Sequence, residues 1–218
     1  MSDNTMKKKT SGLVPRLRFP EFQDAGEWEE KPLEEIGEFT GGGTPSRSND
    51  SFWKGNIPWV SSSDISEDSI HEIKISRFIT SEALKRSATK LVPKNRILLV
   101  SRVGVGKLAI MKSSVCTSQD FTNFTPCNDN LEFIGYLLAS NRSVLEKFSQ
   151  GMAIKGFTKD DISKLAVYLP KLKEQQKIAD CLSSLDALIT AQADKLDALK
   201  LHKKGLMQQL FPRPEAET

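Results

Sequence analysis

The stretch Lys173–Leu210, KEQQKIADCLSSLDALITAQADKLDALKLHKKGLMQQL, contains no proline and a single glycine, Gly205. A seam of 3.5-residue spacing runs through Ile178, Leu182, Leu185, Ile189, Gln192, Leu196, Leu199, Lys203, Leu206 and Leu210, and eight of these ten are apolar. This spacing predicts a coiled-coil helix, with Gln192 and Lys203 as polar interruptions of the kind that set register. At 1.5 Å per residue the rod is roughly 55 Å long, against ~30 Å for the diameter of a small domain. Part of it is expected to protrude and bury its seam on a partner, the alternative being a long helix folded back on its own domain.

Upstream of the rod the pattern changes to β. Ile57–Val60, Ile97–Val100, Leu108–Met111 and Phe121–Phe124 are short apolar runs, and His71–Thr80 alternates Ile73 and Ile75 with polar neighbours. A short helix capped by Ser81 interrupts them. A longer helix is expected from Leu131 to about Gln150, with Ile134, Leu137, Leu138, Leu145 and Phe148 on one stripe and Gly151 as its stop. Thr158–Asp161 reads as a capping box opening a further short helix, followed by a strand at Ala166–Leu169. Trp53 and Trp59 are read as core. The fold class is α+β: a β-rich head with a few helices, then the long C-terminal helix. The divisions are a flexible tail at 1–20, the head at 21–170, the helix at 171–212 and a second tail at 213–218.

The 218 residues carry 31 Lys+Arg against 28 Asp+Glu, a net charge of +3. From Gly42 to Lys112, however, twelve Lys/Arg face six Asp/Glu, so that segment is +6 and the remainder −3. A basic head in a nearly neutral chain suits a polyanion. Apolar runs fall short of the ~20 residues that span a bilayer, and MSDNTMKKKT lacks the apolar stretch of a signal peptide, so the chain is expected in the cytoplasm. Cys116, Cys127 and Cys181 form no CxxC pair and are read as small core thiols; no metal site is expected.

Catalytic motifs fail one by one. Ser101–Lys107 lacks the first glycine and the final Ser/Thr of a phosphate loop. Gly104-Val105-Gly106-Lys107-Leu108-Ala109 fits a loose dinucleotide pattern, but that pattern needs a helix next, whereas the following residues read as strand. A tight turn explains the glycines better, because they allow positive φ. His71 and His202 accompany no GxSxG elbow. What remains is a binding protein.

Several strings, in order, carry a resemblance: Gly42–Ser46 (GGTPS), Phe52–Ser61 (FWKGNIPWVS), Ile79–Leu84, Leu91–Lys94, Leu98–Ile110 (LLVSRVGVGKLAI), Leu169–Ala179 (LPKLKEQQKIA) and Lys204–Phe211 (KGLMQQLF). Over residues 17–212 the chain resembles the DNA-specificity subunits of type I restriction–modification enzymes. The resemblance implies a non-catalytic reader of double-stranded DNA with a target-recognition domain and a spacer helix. It also implies modification subunits that methylate adenine with S-adenosylmethionine, and restriction subunits that use ATP and Mg; this chain itself would hold no cofactor. A full subunit resembles two copies of this unit with antiparallel helices. The chain holds one, and the similarity of Leu13–Pro20 and Leu210–Glu215 to an internal junction suggests a half-length form that self-associates through Ile178, Leu182, Leu185, Ile189, Leu196, Leu199, Leu206 and Leu210. An identical pair would read a palindromic, interrupted site.

Recognition residues concentrate on loops. Thr44, Ser46 and Arg47 follow the glycine run; Ser61, Ser62, Ser63 and Asp64 follow the Trp59 strand; Arg102 and Lys107 flank the Gly104/Gly106 turn; Lys155 and Gly156 precede the Thr158 cap. These are the candidate DNA contacts. The alternative is a coiled-coil interaction module that inhibits or assembles a restriction complex without reading DNA.

Overall fold

The computed structural model describes residues 13–148 and 156–211. The chain divides at Ala179/Asp180 into two units. The first is the head, in which the described residues form ten strands in three sheets with short helices.

One sheet has the order β2-β9-β6-β7, from Gly37–Gly41, Thr122–Pro126, Arg96–Leu99 and Leu108–Met111. The run Ile97–Leu99 is continuously apolar because both faces of this sheet are covered, which removes the usual alternation. Ile97, Leu99, Leu108, Ile110 and Phe124 join one cluster with Phe133, Ile134 and Leu138 of helix α3 (Leu131–Ser140). Leu98, Val100 and Ala109 face the other way and pack with Val60, Val92, Val115 and Phe121. Val60, Val92 and Val115 come from the second sheet, β4-β3-β8-β5, built from Arg77–Ile79, Ile57–Val60, Val115–Thr117 and Leu91–Val92, while Phe121 follows that sheet's Val115–Thr117 strand and bridges Val100. Its outer face holds a third cluster, Phe52, Trp59, Ile79, Ala83 and Cys116, under helix α2 (Ser81–Arg86). Trp59 is fully buried in the core as expected, and Trp53 packs partly buried against it, ring edge-on at 5.0 Å.

The third sheet pairs β1 (Glu29–Pro32) with β10 (Ala166–Leu169). Neither β1 nor β2 was visible as a strand: EEKP and GEFTG carry no apolar alternation, and each is held by its partner's ladder instead. Three other boundaries move. Of His71–Thr80 only Arg77–Ile79 is a strand, because Glu72 O and Lys74 N bond back to Ser66 and Asp64. The cap of α2 is Thr80, whose Oγ1 accepts from Ala83 N at 3.2 Å, with Ser81 the first helical residue. The helix expected through Gln150 breaks at Asn141, whose Nδ2 bonds Leu137 O at 2.8 Å and competes with the helical ladder; a second helix runs Arg142–Phe148. Gln150 and Gly151 lie outside the described residues. Thr158 caps its helix, Lys159–Ser163, in the reciprocal arrangement with Asp161 that the spacing predicts. Those bonds hold the Asp161 carboxyl below its ordinary range. Of the cysteines only Cys116 is buried; Cys127 and Cys181 are exposed, which corrects their reading as core thiols.

Residues 1–12 lie outside the described residues, but from Leu13 the expected tail is tied down. Leu13 bridges Trp28, and Arg18 forks onto Glu174, Nε to Oε1 at 2.8 Å and Nη2 to Oε2 at 2.7 Å. Side-chain exposure is only 7% and 2%. Gln175 alongside accepts from Asn130 N and donates to Asp129 Oδ1 and Pro170 O. The KEQQ string therefore serves the head, its Glu174 and Gln175 buried. A stranded buried charge costs more than removal of the pair. Arg18→Ala should therefore lower the thermal midpoint further than Arg18→Ala/Glu174→Gln, where the buried group is neutral. Equal midpoints would contradict this.

The helix α6 spans Leu172–Leu210. Its first two turns, to Ala179, belong to the head, and Ile178 packs on the first core cluster. Ile178 is thus lost to the seam expected of it. From Asp180 the described part of the second unit is this helix up to Leu210, followed by Phe211, with Leu185, Ile189, Leu196, Leu199, Leu206 and Leu210 all exposed, by 42% to 71%. Among the described residues no helix is long and apolar enough to cross a membrane.

Candidate nucleic-acid interface

The predicted contact loops come from four separate parts of the chain, and the head draws their backbones together. The hub is the β8–β9 loop, Ser118–Phe121, which the sequence did not single out. Ser118 N donates to Val60 O at 2.9 Å, beside Ser61–Asp64. Gly43 N donates to Thr117 O at 2.8 Å, which seats the glycine run. Asp120 O accepts from Ser101 N at 2.7 Å, Arg102 N at 3.2 Å and Ser101 Oγ at 3.0 Å. Arg102 in turn bridges Gly156, and Phe157 N bonds Ser101 O.

Two of the glycines are required by close approach. A Cβ on Gly42 would lie 2.1 Å from Ser118 O, and one on Gly156 2.7 Å from Ser101 O. Gly104 and Gly106 have φ of +96° and +85°, the left-handed turn expected of them, and strand β7 rather than a helix follows. Val103 shares that region at φ +43° and is 72% exposed.

The side chains then sort by what they touch. Ser61 and Asp64 close a capping box, and Asp64 also pairs with Arg77, a residue that sequence reasoning missed. Arg77 bonds Ser61 Oγ as well, and its guanidinium carbon lies 4.9 Å from the centre of the Trp59 ring. Ser62 is buried and Ser63 Oγ meets Ser61 Oγ at 2.9 Å. Lys107 Nζ pairs with Glu67 at 2.7 Å; the lysine and Arg142 hold the Glu67 carboxyl below its ordinary range. Gly156 is buried, and Lys155 lies outside the described residues. Ser46 bonds Ser48 and receives Trp53 Nε1 on its carbonyl. Thr44 Oγ1 donates to Gln119 Oε1. Arg47 and Arg102 are exposed and hold no ion pair among the described residues. Ser61, Asp64 and Lys107 are thus engaged in the fold, while Thr44, Arg47, Ser63 and Arg102 are left at the surface of the assembled loops.

This head and helix define a DNA-specificity domain: the chain belongs to the family described as type I restriction modification DNA specificity domain, whose model matches residues 25–201. It is 34% identical to the type I restriction enzyme MjaIX specificity subunit of Methanocaldococcus jannaschii, over 75% of this chain and 39% of that one. It is 30% identical to the EcoR124I/EcoR124II specificity subunit of Escherichia coli, over 87% and 50%. The fold matches the type I S subunit of M. genitalium with a TM-score of 0.61 at 15% identity, covering 85% of this chain and 46% of that one. The HsdS subunit of Thermoanaerobacter tengcongensis matches with 0.59 at 18%, covering 84% and 42%. The chain spans about half the length or less of these relatives.

Proposed function

We propose that the chain is a non-catalytic reader of double-stranded DNA in a type I restriction–modification system, its head taking one half-site. The observation that carries this is the convergence of four predicted contact segments on the Ser118–Phe121 hub, with Arg47 and Arg102 exposed and holding no ion pair among the described residues. Exposed guanidinium groups beside hydroxyl-bearing loops suit phosphates and base edges. The seam beyond Asp180 packs against an equivalent helix, so that two heads stand at a fixed spacing. Modification and restriction subunits dock on this frame in the cytoplasm and bring S-adenosylmethionine, ATP and Mg, while this chain holds no cofactor of its own.

Binding to a short duplex, measured with the modification subunit present, tests the reading. Phosphate contacts make affinity fall steeply with salt, so a steep decline is expected. Arg102→Ala should weaken binding by ~1–3 kcal/mol if its guanidinium meets a base edge. Absent or salt-independent binding would contradict the reading and favour an interaction module that does not read DNA.

A further inference from the structure

The hub holds one side chain that neither the fold nor the proposed contacts account for. Gln119 is exposed at the tip of the β8–β9 loop, and every neighbour of it is fixed. Ser118 N bonds Val60 O at 2.9 Å and Ser118 Oγ bonds Asp120 Oδ2 at 3.0 Å. Asp120 N returns to Ser118 Oγ at 3.2 Å, and Asp120 O takes the three donors from Ser101 and Arg102. The backbone on both sides of Gln119 is therefore pinned, yet its side chain contributes nothing to the core.

That side chain is nevertheless held. Thr44 Oγ1 donates to Gln119 Oε1, which orients the carboxamide. A carboxamide oxygen has two lone pairs and its nitrogen two donors. One lone pair is used by Thr44; the Nε2 donors have no hydrogen-bond partner among the described residues. What remains is an acceptor and a donor side by side on a rigid platform. Adenine presents the complement in the major groove, the N6 amino donor beside the N7 acceptor, and a carboxamide bonds both at once. Orientation in advance lowers the ordering cost of such a contact. Arg102, whose backbone N–H bonds Asp120 O at 3.2 Å, brings a positive charge to the same hub.

We propose that Gln119 is a specificity-determining residue that reads the major-groove edge of an adenine, with Thr44 as its positioning residue. The assignment rests on the DNA-reading function proposed above.

Selection from a randomised duplex pool by the full chain with its modification subunit separates the two claims. The wild type should enrich a motif containing an adenine column that Gln119→Ala flattens by about tenfold or more, leaving other columns intact. Gln119→Glu, which can only accept, should shift that column toward cytosine, whose N4 donates. Thr44→Val should flatten the same column less. At that column 7-deazaadenine, which lacks the N7 acceptor, should weaken the wild type and leave Gln119→Ala unchanged. A motif unaltered by Gln119→Ala, or altered in a column other than adenine, overturns the assignment while the DNA-reading function stands. A wild type that enriches no motif overturns the function itself.

Discussion

Trp59→Ala should destabilise the head by about 3–5 kcal/mol, the loss typical of emptying a large buried aromatic site. Trp59 is fully buried in β3, the strand bonded to both β4 and β8. Its Nε1 donates to Gly43 O at 3.1 Å, its ring meets Trp53 edge-on, and the Arg77 guanidinium lies over it. The truncation removes the third core cluster's largest member and the tie that seats the glycine loop at once. Trp59→Phe separates the two: most of the packing stays, while Gly43 O loses its donor, for about 1–3 kcal/mol. Urea unfolding of the two variants should rank them in that order. A Trp59→Ala loss within about 0.5 kcal/mol, the size of an ordinary surface effect, would show that the tryptophan does not hold the loops.

The second large effect falls on the helix. Leu196 and Leu199 are exposed by 53% and 56%, although the seam spacing marks them for burial. Burying a leucine is worth about 1.5–3 kcal/mol, and an unpaired carboxylate in its place adds a desolvation cost. Leu196→Asp/Leu199→Asp should therefore raise the self-dissociation constant by more than about a hundredfold, at 1.4 kcal/mol per factor of ten. Sedimentation equilibrium should find the wild type dimeric and the variant monomeric at the same concentration, with unchanged circular dichroism. A wild type that stays monomeric, alone and with the modification subunit, would contradict pairing through the seam.

What was legible in the sequence follows from what each segment buries. Ile97–Val100 announced itself because both sheet faces are covered, and the seam because an isolated helix has one periodic apolar stripe. Glu29–Pro32 did not, because a polar strand is fixed by its neighbour's carbonyls, to which composition is blind. The same blindness hid the hub. Ser118-Gln119-Asp120 has no motif, and its importance lies in backbone bonds to Val60, Ser101 and Arg102 from distant parts of the chain. Lys107 and Asp64 had the right chemistry for DNA, but Glu67 and Arg77 already engage them. Residue type could mark them; only the tertiary pairing could remove them. Arg47 and Arg102 are exposed and hold no ion pair among the described residues.

As a DNA reader of the proposed kind, this chain should choose where a modification subunit methylates. Mapping methylated adenines by sequencing, in cells carrying the modification subunit with and without this chain, tests it most directly. A paired reader with identical heads should give a palindromic, interrupted motif that vanishes when the chain is removed. A methylation pattern unchanged by its removal would contradict the account.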